Sequence, residues 1–137
     1  MGLYLCVFDG DDELEGVEVG SYGDFGTFRD TVRDRLEQGV PGSRFPILMR
    51  HSDCDGMWSP ADAELLRLEL ATIAQEFAIQ PPMPLHDGWQ KSVTRTLGLS
   101  PANLLDCFFD VDGEPLLERL QGLCLCSVQR ELPILFQ

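Results

Sequence analysis

Three prolines within five residues, Gln80-Pro81-Pro82-Met83-Pro84, constrain this chain more than any other segment. Each lacks the N–H that a helix or sheet would use and restricts the residue before it, so the segment is irregular and forms the main internal connection. Neither flank is long enough for a core of its own, which points to one domain over residues 1–137. On the N-terminal side of the prolines, Ser59-Pro60-Ala61-Asp62 has the chemistry of a helix start. Ser59 is the N-cap, Pro60 the first helical position, and Asp62 stands where a capping-box acid would. Leu66, Leu70, Ile73 and Phe77 then recur three and four apart, which predicts a helix near 59–78 with a buried stripe.

Leu3 to Phe8 is a continuous apolar run rich in strand formers, Asp9-Gly10-Asp11-Asp12 supplies a turn, and a second strand is expected near Val17 to Val19. Asp24 reads as the cap of a helix near 24–38 that carries Phe25, Phe28, Val32 and Leu36, with Gly39 and Pro41 ending it. Phe45 to Met49 reads as a short apolar strand. Beyond the prolines, Trp89 to Leu97 has helical character, and Ser100-Pro101 repeats the cap-plus-proline signal for a helix near 101–108. Pro115 opens a helix near 114–129 with Leu116, Leu117, Leu120, Leu123 and Leu125, and Pro133 to Phe136 forms a closing strand. The expected fold is α+β, a small and mainly antiparallel sheet packed with about four helices.

With 137 residues, 44% of them hydrophobic, the chain can bury one core. Its 10 Lys plus Arg against 23 Asp plus Glu give a net charge of −13, which makes nucleic acid a poor partner because phosphate binding needs cations. Such a surface serves solubility, and it also steers a basic protein into an encounter. No span of about 18 apolar residues and no basic leader is found, so no membrane is expected. Cys6, Cys54, Cys107, Cys124 and Cys126 are odd in number and show no metal-ligand spacing, which fits a reducing cytoplasm, and the three that lie in apolar runs are expected to pack as buried thiols.

Three constellations invite chemistry. Phe108-Phe109-Asp110-Val111-Asp112-Gly113 looks like the nucleophile motif of haloacid-dehalogenase-type phosphatases, which would use Asp110 and Asp112 with magnesium. Glu114 stands where that family has Thr, however, and the short stretch after Asp110 contains no Lys, so a structural turn is the simpler role. The loop His51 to Asp62 can be laid on a calcium-loop template through Asp53, Asp55 and Gly56, but His51 is a poor first ligand for a hard cation and Asp62 is shorter than the usual Glu. Cys54 with His51 or His86 suggests a nucleophile and base, although carboxylates beside a Cys favour the thiol form. No cluster offers a complete ligand set, so neither a metal nor another cofactor is expected.

The positions proposed for partner binding are acidic and aromatic. They are Asp9, Asp11, Asp12, Glu13 and Glu15 in one turn, Asp53 and Asp55 in another, and Trp58 and Trp89 beside acidic or proline-rich loops. Tryptophans in such settings cover a core or anchor an interface; core cover is the default role, and both are the aromatic positions to test first.

At the level of whole segments the chain resembles the bacterial immunity proteins of polymorphic toxin systems, in particular the immunity protein 70 family. The resemblance rests on Met1-Gly2-Leu3-Tyr4-Leu5, Cys54-Asp55-Gly56-Met57-Trp58-Ser59-Pro60, Asp110-Val111-Asp112-Gly113-Glu114-Pro115-Leu116-Leu117-Glu118-Arg119-Leu120 and Leu132-Pro133-Ile134-Leu135-Phe136-Gln137, in that order. It implies a non-enzymatic cytoplasmic protein that binds and neutralises a cognate toxin, and the acidity fits a basic toxin. The alternatives are a small metal-dependent phosphohydrolase using Asp110 and Asp112, and an adaptor with no toxin partner. Homo-oligomerisation is left open.

Overall fold

In the computed structural model, which describes residues 2–85 and 88–137, the first apolar run forms β1 (Gly2–Asp9) and pairs antiparallel with β2 (Asp12–Ser21). Gly10 sits in the turn at φ 62, a left-handed conformation that glycine adopts without a Cβ clash. Register shifts between Leu3 and Tyr4 and between Val7 and Phe8 interrupt the ladder. The chain continues through α1 (Tyr22–Leu36), α2 (Pro46–Arg50), β3 (Met57–Trp58), α3 (Pro60–Phe77), α4 (Trp89–Leu97), a 3₁₀ turn at Leu105–Cys107, α5 (Leu116–Arg130) and β4 (Ile134–Phe136). The strand order is β2-β1-β4-β3, antiparallel at every pairing, and the fold is α+β.

Helices α1 and α5 pack on β1 and β2, while α3 packs on α5 and on β3. Leu3, Leu5 and Val7 of β1, Val17 and Val19 of β2, and Ile134 and Phe136 of β4 meet these helices in one buried cluster. Its aromatic centre is Phe28, whose ring centroid lies 6.3 Å from Phe25, 6.4 Å from Phe77 and 5.3 Å from Phe108. The stripe Leu66, Leu70, Ile73 and Phe77 is buried as its spacing predicts, and so are Leu116, Leu117, Leu120 and Leu123 of α5. Leu125 is exposed, and Cys124 takes the inward position beside it. Burial pushes the Cys124 thiol up to about 12.

Three local expectations are corrected. Helix α1 starts at Tyr22 with Ser21 as its N-cap, and Asp24 is the capping-box acid three positions on. Phe45 to Met49 is not a strand: Pro46 opens the short helix α2, whose first N–H groups, on Ile47 and Leu48, donate to the Glu69 carboxylate at 3.1 and 3.0 Å. Residues 101–108 make only the 3₁₀ turn, because Asp106 accepts from the Ala102 N–H and Asn103 accepts from the Asp106 N–H, and both bonds compete with a helical ladder.

The start of α3 is as expected, with the Ser59 hydroxyl accepting from the Asp62 N–H at 3.1 Å. Replacing Ser59 with alanine is expected to lower the unfolding free energy by about 1 kcal/mol, read as a shifted urea midpoint at constant slope. An unchanged midpoint would remove the cap from the account of this helix.

Candidate functional site

The two acidic clusters lie at opposite ends of the sheet. Leu135 of β4 pairs with Cys6 on one side and Met57 on the other, so β3 runs in the direction of β1. The loop holding Asp53 and Asp55 therefore meets the sheet where β1 begins, and the turn holding Asp11 is where β1 has ended. Strand parity then divides the first cluster. Asp9 and Glu15 point toward the helices, where Arg130 lies 3.2 Å from Asp9 and Arg119 lies 3.6 Å from Glu15. Glu13 points to the opposite face and accepts from the Tyr4 hydroxyl, and Asp11 and Asp12 stand exposed at the tip. The hydrogen bond to Glu13, together with burial, pushes the Tyr4 phenol up to about 12, so it remains a donor. Its ring lies over Gly16, which leaves no room for a side chain at that position.

Asp110 is 1% exposed and holds a turn together. Its Oδ1 accepts from the N–H groups of Asp112 at 2.9 Å and Glu114 at 3.0 Å, and Oδ2 lies 3.3 Å from Nε of Arg119. Phe109 and Pro115 form an isolated bridge across the turn, and the sheet of the described residues is antiparallel throughout. The parallel sheet behind a phosphatase nucleophile is thus not built around Asp110, and its carboxylate is already occupied by backbone donors and a guanidinium. The same region closes an edge of the sheet. Arg119 donates to the Gly16 carbonyl at 2.5 Å, and the Val111 N–H donates to the Glu18 carbonyl at 3.2 Å.

In the second loop, His51 stacks on Phe136 with centroids 4.3 Å apart, and its two ring nitrogens lie 2.8 Å from the Ser52 carbonyl and 2.9 Å from the Met57 carbonyl. Neither nitrogen faces Cys54, whose sulfur lies 3.6 Å from the Ser52 hydroxyl, so the proposed nucleophile and base are not assembled. His86, the other candidate base, lies outside the described residues. Among the described residues no group of three His, Cys, Asp or Glu side chains converges as a metal site. Arg29 fastens this loop by donating to the carbonyls of Leu48 at 3.2 Å and His51 at 2.8 Å. Burial draws the Arg29 pKa down, and the Asp53 charge opposes that shift.

The tryptophans divide. Trp58 is 2% exposed and donates its indole N–H to the Ile47 carbonyl at 3.2 Å, so it covers the core and offers no surface for an anchor. Trp89 is half-buried at the start of α4, edge-on to Phe109, and its indole N–H donates to Asp24 at 2.9 Å. Burial pushes the Asp24 carboxyl up, but hydrogen bonds from Trp89, from the Ser21 N–H and hydroxyl, and from Gln90 outweigh it and hold the group below the usual aspartate value.

What the sequence reading passed over is the second face of the sheet. Tyr4, Phe8, Leu135 and Met57 project away from the helices and form no part of the core cluster, and Met57 is 53% exposed. The alternation of Tyr4, Cys6 and Phe8 against Leu3, Leu5 and Val7 was the available signal, but both sets are apolar and merge into one run. A groove of about 580 Å³ also lies between α3, α5 and the 99–109 loop, with Leu99, Leu105, Phe108 and Leu117 on its walls and Asp106 and Glu118 in its lining. It brings two carboxylates and Ser100 to apolar walls.

Compared with known proteins, the chain matches the profile of the family described as Immunity protein 70 over residues 3–136. No curated protein and no solved structure matches it at a significant level.

Proposed function

Because this chain belongs to the immunity protein 70 family, we propose that it neutralises a cognate bacterial toxin of a polymorphic toxin system by binding it directly in the cytoplasm. The family match over nearly the whole chain carries the reading. An immunity protein of this kind acts by occupying a surface and not by turning over a substrate, in keeping with Asp110 being engaged in a turn. The net charge of −13 fits a basic toxin, whose approach the acidic surface accelerates. Asp9, Asp11, Asp12, Glu13, Glu15, Asp53 and Asp55 supply that field in this proposal, whether or not each touches the toxin. Trp89 remains a half-exposed position from which an anchor could act.

Two measurements test it. Co-expression should rescue cells from growth arrest by the toxin encoded beside this chain's gene, and failure of rescue with a well-expressed, folded chain would defeat the proposal. Association of the purified pair should also slow by about tenfold when ionic strength rises from about 0.01 to about 0.15 M, since the screening length falls from about 30 to about 8 Å. Association rates independent of salt would assign the acidity to solubility alone.

A further inference from the structure

Strand β1 is apolar on both faces, a pattern that belongs to strands covered on both sides. Here the helices cover one face. On the other, a row runs across the sheet from Gly16 through Cys6 and Leu135 to Met57, with Tyr4 and Phe8 flanking Cys6 along β1. The neighbouring side chains shield Cys6 completely, while Tyr4, Phe8 and Leu135 stay partly exposed and Met57 is 53% exposed. A continuous apolar strip of this kind on a sheet marks an interaction surface more often than a strip of scattered exposed residues does.

The charges around the strip define what fits it. All 10 Lys and Arg of the chain lie outside the four strands, on helices or in a connecting loop. The charged side chains of the strip itself are Glu13 and Glu18, and Asp11 and Asp12 at the hairpin tip extend the same sign beyond it. A second copy stacked with β2 over β2 would bring these carboxylates together, and one stacked with β2 over β3 would leave them facing no cation, because no Lys or Arg lies on the strands. A basic protein surface with an apolar centre would instead match both the floor and the rim. We infer that the bare sheet face, floored by Tyr4, Phe8, Leu135 and Met57 and rimmed by Glu13 and Glu18, is where a basic partner protein docks. This inference rests on the toxin-binding reading and names the surface and the chemistry of that partner.

The test uses the intact chain and a catalytically inactive form of the toxin encoded beside its gene, with affinity measured by calorimetry. Met57→Arg with Glu18→Lys alters exposed positions, so the fold should survive, as the melting temperature will confirm. This variant should bind about 100-fold more weakly than the wild type. Leu68→Arg, an exposed position on α3, should bind within about twofold of the wild type. If the wild type binds and the sheet variant binds equally well, the docking face is wrong while the function stands; a loss confined to Leu68→Arg likewise rules out the sheet face and moves the interface to the helices. A wild type that fails to bind at all overturns the toxin-binding reading and this inference with it. A dimer in sedimentation that Met57→Arg with Glu18→Lys dissociates would make a second copy the occupant and overturn the basic partner.

Discussion

Replacing Phe28 with alanine is expected to lower the unfolding free energy by about 4 kcal/mol. The ring is fully buried and forms, with Phe77 of α3 and Phe108 of the segment before α5, a triangle of ring contacts that ties these elements to α1. Truncation removes the transfer free energy of the ring and leaves a cavity that three elements from separate parts of the chain cannot jointly close. A domain of this size has about 5–15 kcal/mol to lose, so the variant should be partly unfolded near body temperature. Phe28→Leu keeps most of the volume and should cost much less. Urea unfolding of both decides the matter, and a loss below about 1 kcal/mol for the alanine variant would show that the cluster does not hold the helices to one another.

The second large effect is expected at Asp110. Asp110→Ala strips the acceptor from two backbone N–H groups in a buried turn and leaves the Arg119 guanidinium without its nearest carboxylate, for an expected loss of about 3 kcal/mol. The Arg119 side chain is one-third exposed, so solvent screens part of the ionic contribution. Asp110→Asn preserves an acceptor for the N–H groups of Asp112 and Glu114 but turns an NH2 donor toward Arg119 in place of the charged oxygen, so it should lose about 1 kcal/mol, less than the alanine variant. Thermal and urea unfolding of the pair separates the two contributions. Equal losses would mean that the ion pair outweighs the turn's hydrogen bonds, the reverse of the expected order.

How much of this was legible in the sequence follows from how far each determinant lies from the residues it controls. The start of α3 was readable because Ser59, Pro60 and Asp62 act on one another within a single turn. Helix α2 was not, because the carboxylate that satisfies its first N–H groups comes from Glu69, 22 residues from Ile47, and an apolar five-residue run has no period of its own. Burial raises the Glu69 pKa, and the two N–H bonds oppose that rise. The acidic clusters were visible as charge, but their directions were not. A hairpin with two register shifts sends Glu13 to one face and Glu15 to the other, and only the pairing with β1 reveals which. Trp58 shows the same dependence: its place follows from pairing with Ile134 at the far end of the chain, while its neighbours in sequence are those of a surface loop. The bare face was hidden for a different reason. A continuous apolar run states that both faces of β1 avoid water, and it is silent on what covers each of them.

The closed edges of the sheet have a consequence for how such a molecule can be stored. In the proposed role the protein is held in reserve with its apolar strip uncovered, and the familiar end of that situation is fibril growth, in which chains stack strand upon strand. Stacking starts from a free edge. On β2 the outward carbonyls of Gly16 and Glu18 are already occupied by Arg119 and by the Val111 N–H, and on the far side β3 is only two residues long, with His51 against the Met57 carbonyl. These contacts obstruct growth by strand addition at both margins, so a strip that is adhesive toward one visitor need not seed stacking.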